Sequence, residues 1–289
     1  MASWVEKIAT YGRMIRFGHT VFALPFAISA AILAQGQTPL RPWDLFWILV
    51  AMAGARSAAM GFNRIADAKL DAANPRTARR EIPTGKLSIP SAVRFVILFS
   101  ALFMAAAAML GALCFYLSLP ILLLLFSYSY TKRFTWLSHL YLGFVISLSP
   151  AAAWIAVAKS FSPSILWLSA ALMTWMAGFD ILYACQDLDF DRRHDLFSIP
   201  ARFGVHKALA IASLFHGASM AAFLMVYFVF DLGMAYLVAM LVIGVLLVIE
   251  NRMVRPHDLR KVPFAFFHIN GIISLTLLAG VMADRVIHP

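Results

Sequence analysis

Nine stretches of this 289-residue chain are apolar for long enough to cross a bilayer, which takes about 20 residues. They run at roughly 18–35, 43–62, 92–110, 112–130, 138–158, 164–185, 206–230, 232–250 and 264–283. In lipid a spanning segment must pair its backbone groups internally, so each stretch predicts a helix. The long run 92–130 is divided at Gly111, since it holds enough residues for two passes. With 62% hydrophobic and only 13% charged residues, the chain lacks the polar shell that a soluble domain needs. The expected fold class is therefore an all-α membrane protein, a bundle of nine transmembrane helices, with residues 1–289 forming a single domain.

The basic residues orient the bundle, because cytoplasmic loops collect Lys and Arg. Of the 24, all but Arg41, Arg56, Lys159 and Arg285 fall at alternate ends of the spans, at Lys7–Arg16, Arg64–Arg94, Lys132–Arg133, Arg192–Lys207 and Arg252–Lys261. This bias predicts a cytoplasmic N-terminus and an outer C-terminus. It also accounts for the net charge of +10 without a nucleic-acid partner. Residues 1–35 start basic and end in small residues like a secretory leader, but eight further spans favour a first membrane helix. Cys114 and Cys185 show no metal or redox spacing and read as packing residues.

Against this background the acid is concentrated. Of 14 Asp and Glu, Asp67, Asp71 and Glu81 lie in the connection after the second span, and Asp180, Asp187, Asp189, Asp191 and Asp195 at and after the end of the sixth. Asn63, Asp67 and Asp71 recur every four residues, within about 80° on a helical wheel. Asp180, Asp187 and Asp191 fall within about 40°, with Asp189 on the opposite side. A charged Asp in mid-membrane costs about 2.5 to 3.5 kcal/mol, so two acidic stripes call for a cation. Oxygen ligands with one amide, no His or Cys cluster, and nearby arginines suit Mg²⁺ carrying a phosphorylated substrate. Arg76 and Arg80 would take up the remaining phosphate charge. Two other readings stay open: a solvated loop laced with salt bridges, which fits Asp189, Asp195, Arg79, Arg192 and Arg193 best, and an ion pathway in a transporter.

The segments Asn63-x-x-x-Asp67-x-x-x-Asp71 with Arg76, Thr77 and Arg80, and Asp180-x-x-Tyr183-Ala184-x-x-Asp187-x-x-x-Asp191 with Ser198 and Phe203-Gly204, resemble the UbiA superfamily of intramembrane aromatic prenyltransferases. The resemblance covers nearly the whole chain, and includes Lys132-Arg133-x-Thr135 after the fourth helix. It implies that Asn63, Asp67, Asp71, Asp187 and Asp191 hold Mg²⁺ on a polyprenyl diphosphate. Arg76, Arg80 and Lys132 would contact the diphosphate, and Asp67, Asp187, Asp191 and Asp180 would serve catalysis.

Loss of diphosphate leaves an allyl cation that must be shielded from water, and Tyr183, Phe179, Tyr130, Trp154 and Phe22 are candidates to face it, or ordinary packing. Arg56 lies seven residues before Asn63, about 10 Å deeper on the same face. The family holds the acceptor carboxylate with an arginine there; the alternative is a structural pair with an aspartate. Arg16 and His19 stand where the family has polar residues, His19 in place of the more usual Lys-Pro. Asp180 could orient metal-bound water, tune Arg56 or accept the acceptor's proton, and Asn270 matches a family asparagine or makes an interhelical hydrogen bond.

The resemblance implies prenyl transfer to the carbon ortho to the hydroxyl of 4-hydroxybenzoate for quinone synthesis, in the inner (plasma) membrane. Phe197, where a Lys often stands, and Asp195, where a Gly is common, mark a distinct branch. The alternatives are prenylation of 1,4-dihydroxy-6-naphthoate on a menaquinone route, prenylation of a haem or lipid headgroup, and a cation-coupled transporter.

Overall fold

The computed structural model describes residues 4–15, 22–256, 258–259 and 262–288, with residues 4–8 and 266 described by backbone alone. In chain order the helices are α1 (Trp4–Met14), α2 (Leu24–Leu33), α3 (Pro42–Ala66), α4 (Ala68–Ala73), α5 (Ile89–Leu110), α6 (Ala112–Thr131) and α7 (Ser138–Ala158). There follow α8 (Leu166–Ala184), α9 (Leu188–Arg193), α10 (Ile199–Val229), α11 (Met234–Met253), α12 (Val262–Phe264) and α13 (Asn270–Ile287).

Among the described residues, eight helical stretches are long and apolar enough to span a membrane: Pro42–Ala66, Ile89–Leu110, Ala112–Thr131, Ser138–Ala158, Pro163–Arg193, Ile199–Val229, Met234–Met253 and Val262–Ile287. They match the second to ninth predicted segments. The first predicted segment corresponds to the shorter apolar helix Leu24–Gly36. Arg16, His19, Arg260 and Lys261 lie outside the described residues.

Local signals explain the boundaries. Ser88 and Ser198 cap α5 and α10 by accepting from the Ser91 and Ala201 amides, each with a proline in the first turn. Gly111, at φ 132°, separates α5 from α6 where the sequence divides its long run. Gly204, at φ 78°, breaks α10 after its first turn.

The chain forms two compact units, one from Met1–Thr20 with Phe46–Tyr130 and one from Val21–Leu45 with Thr131–Pro289. In the first, glycines bring α3 against α5: a Cβ on Gly54 would lie 3.0 Å from the Phe103 amide nitrogen, and one on Gly61 2.9 Å from Val96 Cγ2. Met14, Ile15, Leu87 and Ala92 form one buried cluster there, and Ala58, Phe103 and Leu122 another.

The second unit is centred on α8. Trp175 stacks on Phe26 at 5.3 Å and meets Phe179 edge-on at 5.0 Å. His216 lies over Gly178, and Asn270 donates to Glu250 at 2.7 Å within the packed helices. The asparagine thus makes the interhelical hydrogen bond that was one reading of it. Cys185 is buried with its thiol on the Ile181 carbonyl, a packing residue as expected.

Candidate active site

Both acidic motifs are built the same way, each within its own unit. A long helix ends, one aspartate turns the chain, and a six-residue helix follows that buries a second aspartate. Asp67 makes the turn at φ −97°, ψ 8° before α4, and Asp187 makes it at φ −101°, ψ 7° before α9. Neither carboxylate caps the short helix that it precedes. In both, the second aspartate is buried: Asp71 is 6% exposed and Asp191 2%.

This corrects the straight stripes expected from sequence. The first survives nearly intact, because Asp67 N–H still donates to the Asn63 carbonyl at 2.9 Å and Asp71 N–H to that of Asp67 at 2.7 Å. The second widens from about 40° to about 80°, because Cys185–Asp187 form a 3₁₀ turn. Three residues wound about 20° tighter each rotate Asp187 and Asp191 by about 60° relative to Asp180. Asp180 accordingly sits at one edge of a stripe about 80° wide, and its carboxylate meets His139 Nδ1 at 2.7 Å.

In the first unit Asn63 Nδ2 donates to Asp67 Oδ2 at 2.8 Å and lies 3.4 Å from Ser129 Oγ. Its carbonyl oxygen accepts from Arg64 Nη1 at 3.2 Å, and Arg64 Nε donates to the Met14 carbonyl at 3.1 Å. Arg64, counted in the sequence among loop cations, is only 4% exposed and acts as the strut behind Asn63. An amide oxygen keeps a second lone pair, so Asn63 can still ligate.

Arg80 Nη1 donates to both oxygens of Asp71 at 2.7 Å. Arg80 is thus held on a carboxylate, since a buried charge needs a partner. Thr77 Oγ1 donates to the Asp71 carbonyl at 3.1 Å, and Asn74 Oδ1 accepts from the Arg76 amide at 2.9 Å, which shapes the loop that presents the exposed Arg76. Arg56 lies on the unbroken α3, half-buried, so its place about two turns deeper than Asn63 holds.

In the second unit Lys132 Nζ sits 3.7 Å from Asp191 Oδ2, an oxygen that is buried and without a hydrogen bond. Lys132, expected on the diphosphate, here faces a carboxylate. Its carbonyl accepts from Phe197 N–H at 2.7 Å, which ties the end of the second motif to the Lys132–Arg133 turn. Asp189, Arg192, Arg193 and Asp195 are exposed, as are Arg79 and Arg76 in the other unit, in line with the solvated-loop reading for the five to which it was applied.

The aromatic candidates separate. Tyr183 is half-buried on α8 one turn before Asp187, Phe22 and Phe179 pack at 5.5 Å, and Tyr130 meets Phe62, next to Asn63, at 6.1 Å. Trp154 does not belong with them. It packs on Phe230 at 5.6 Å, 16 residues along α7 from the Ser138 end, hence about 24 Å from that end.

Among the described residues no three His, Cys, Asp or Glu side chains converge to hold one ion. The donors present nonetheless fit Mg²⁺, which keeps several waters and takes one or two carboxylates plus substrate phosphate oxygens rather than an all-protein cage. Each unit offers hard oxygens of that kind, and the buried Asp191 Oδ2 is an acceptor with no donor.

The family profile that describes UbiA prenyltransferases matches residues 23–272. The chain belongs to the UbiA prenyltransferase family. Among curated relatives, the 4-hydroxybenzoate octaprenyltransferase of Vibrio vulnificus is 28% identical over 282 residues, 96% of this chain and 98% of that one. The apo structure of a UbiA homologue from Aeropyrum pernix superposes with a TM-score of 0.84 at 32% identity, over 92% of this chain and 98% of the other. A UbiA homologue from Archaeoglobus fulgidus bound to GPP and Mg²⁺ shares the fold at a TM-score of 0.75 and 21% identity, over 96% and 99%.

Proposed function

We propose that this UbiA family member is a multi-pass enzyme of the bacterial inner membrane that transfers a polyprenyl group from its diphosphate to the ring carbon ortho to the hydroxyl of 4-hydroxybenzoate. Residues 1–289 work as one prenyltransferase domain of nine membrane helices with the N-terminus in the cytoplasm. The observation that carries this reading is the repeated turn at Asp67 and Asp187, each an oxygen donor not used as a helix cap and each followed by a buried second aspartate. The names of the curated relatives support the acceptor.

Asn63, Asp67 and Asp71, with Asp187 and Asp191, would hold Mg²⁺. When bound, the ions offset the negative charge that grows on diphosphate as the allylic C–O bond breaks. Arg76 reaches the diphosphate from its exposed loop. Arg80 and Lys132, which in this structure lie against Asp71 and Asp191, would be the cations available to the diphosphate beside those carboxylates. Arg56 grips the acceptor carboxylate and so orients the ring, since a two-pronged guanidinium fits a carboxylate. Tyr183 offers its ring face to the allyl cation.

The test is prenyl transfer in liposomes from geranyl diphosphate with Mg²⁺, with 4-hydroxybenzoate and 1,4-dihydroxy-6-naphthoate offered in parallel. Product from 4-hydroxybenzoate, lost in Asp67→Ala and Arg56→Ala, is expected. Product from the naphthoate alone would move the pathway, and ion-driven uptake without product would make the chain a transporter.

A further inference from the structure

One buried pair is not used in holding metal or diphosphate. His139, in the first turn of α7, has a side chain with no exposed surface, whereas that of Asp180 on α8 is 16% exposed. The pair exists because α7 and α8 approach closely: a Cβ on Gly143 would fall against the Met173 carbonyl oxygen and lie 3.4 Å from the Ala177 nitrogen. One turn before Gly143 on α7, and just past Ala177 on the antiparallel α8, His139 and Asp180 come face to face.

The hydrogen bond sets the tautomer. A carboxylate oxygen only accepts, so Nδ1 carries the hydrogen and donates to Oδ2. Nε2 is buried without a hydrogen-bond partner, and a hydrogen there would be a stranded donor. His139 therefore stands as a donor behind the carboxylate. Oδ1 of Asp180 makes no other hydrogen bond with the described residues.

Resting on the prenyl-transfer reading, we infer that His139 is a positioning residue for the step in which the acceptor ring sheds its proton: it fixes Asp180 by Oδ2 so that Oδ1 receives that proton. The allylic C–O bond breaks and its electron pair leaves with diphosphate. A π pair of the ring forms the new C–C bond at the carbon ortho to the hydroxyl. The C–H bond at that carbon then breaks, its electrons restore aromaticity, and its proton passes to Asp180 Oδ1 and later to water. Asp180 suits this role better than Asp187 or Asp191 on two grounds. It is not among the residues assigned to metal, and it lies seven residues before Asp187 and eleven before Asp191, about 10 Å deeper than Asp187.

The experiment compares the full-length protein in liposomes with its His139→Leu, His139→Gln and Asp180→Asn variants, with Mg²⁺, geranyl diphosphate and 4-hydroxybenzoate either unlabelled or deuterated at the two carbons ortho to the hydroxyl. A general base is typically worth about 10²- to 10⁴-fold, so Asp180→Asn should fall in that range and His139→Leu by about tenfold or more in kcat, with KM for the acceptor held. His139→Leu should also show a primary deuterium isotope effect larger than that of the unaltered protein, because proton loss has become slow. His139→Gln, whose amide still donates, should recover most of the rate and lose the added isotope effect.

An unchanged kcat and isotope effect in His139→Leu would overturn the inference while leaving the function standing. So would loss of Mg²⁺-dependent diphosphate release in that variant, since the pair would then be structural. If the unaltered protein prenylates no aromatic acceptor, the function and the inference fall together.

Discussion

Arg80 donates through Nη1 to both carboxylate oxygens of Asp71, at 2.7 Å each, with 18% of the one side chain and 8% of the other exposed. Removing the partner of a buried charge is costly, by about 3 to 5 kcal/mol, because the charge left behind stays out of water. Arg80→Ala is therefore expected to lower the thermal unfolding midpoint in detergent and to weaken binding of prenyl diphosphate. Arg76→Ala, on an exposed side chain, should weaken binding and leave the midpoint unchanged.

Asn63 is held in place by Arg64, which itself is tied to the Met14 carbonyl. Both the Nε and the Nη1 of Arg64 take part, and the ammonium of a lysine cannot reproduce that fork. Arg64→Lys should raise the Mg²⁺ concentration needed for half-maximal transfer several-fold, and Arg64→Ala by more. Titration of activity with Mg²⁺ checks both. Equal Mg²⁺ curves for the variants and the unaltered protein would mean that the strut does not bear on metal binding.

The eight long helices were legible because lipid leaves the chain little choice: an apolar run of sufficient length must be helical, and the boundaries read from hydropathy fall close to those observed. The turns at Asp67 and Asp187 were not legible. Neither is marked by proline or glycine, and at Asp67 the i to i−4 hydrogen bonds continue on either side, which leaves no periodic trace. The spacing of the first stripe came through this, whereas the 3₁₀ turn at Cys185–Asp187 widened the second from about 40° to about 80°. Arg64 and His139 were missed for a related reason. A cation at a helix end and a histidine beside Lys132-Arg133 look like solvated residues, and only the packing of a neighbouring helix shows them to be buried. The faint signal for His139 was Gly143, four residues on, whose missing side chain admits the next helix.

Asp187 and Asp189 make a paired control two residues apart, the first 7% exposed and the second exposed on the other side of α9. Asp187→Asn should reduce transfer by at least about 10²-fold, in keeping with loss of a group that stabilises the leaving charge. Asp189→Asn should leave the rate within about twofold, as surface substitutions away from a site usually do. Chelation of Mg²⁺ should abolish transfer in the unaltered protein and re-addition restore it. Residual transfer at full rate in chelator would remove the metal from the reading.

The close crossing of α7 and α8 places His139 on Asp180, and Gly143 is the residue that permits it. A methyl group there meets backbone on the facing helix, which cannot rotate away as a side chain can, so the helices must part. Overpacking of this kind costs about 1 to 3 kcal/mol. Gly143→Ala should lower the unfolding midpoint and, by drawing His139 back from Asp180, reduce kcat in the same direction as His139→Leu. Gly217→Ala supplies the comparison, because a Cβ at Gly217 has nothing within 4 Å and adds helix propensity. It should leave both midpoint and rate unchanged or slightly improved. A Gly143→Ala protein with lowered midpoint but full kcat would show that the helix crossing supports the fold alone, and that the histidine reaches its aspartate without help from the glycine.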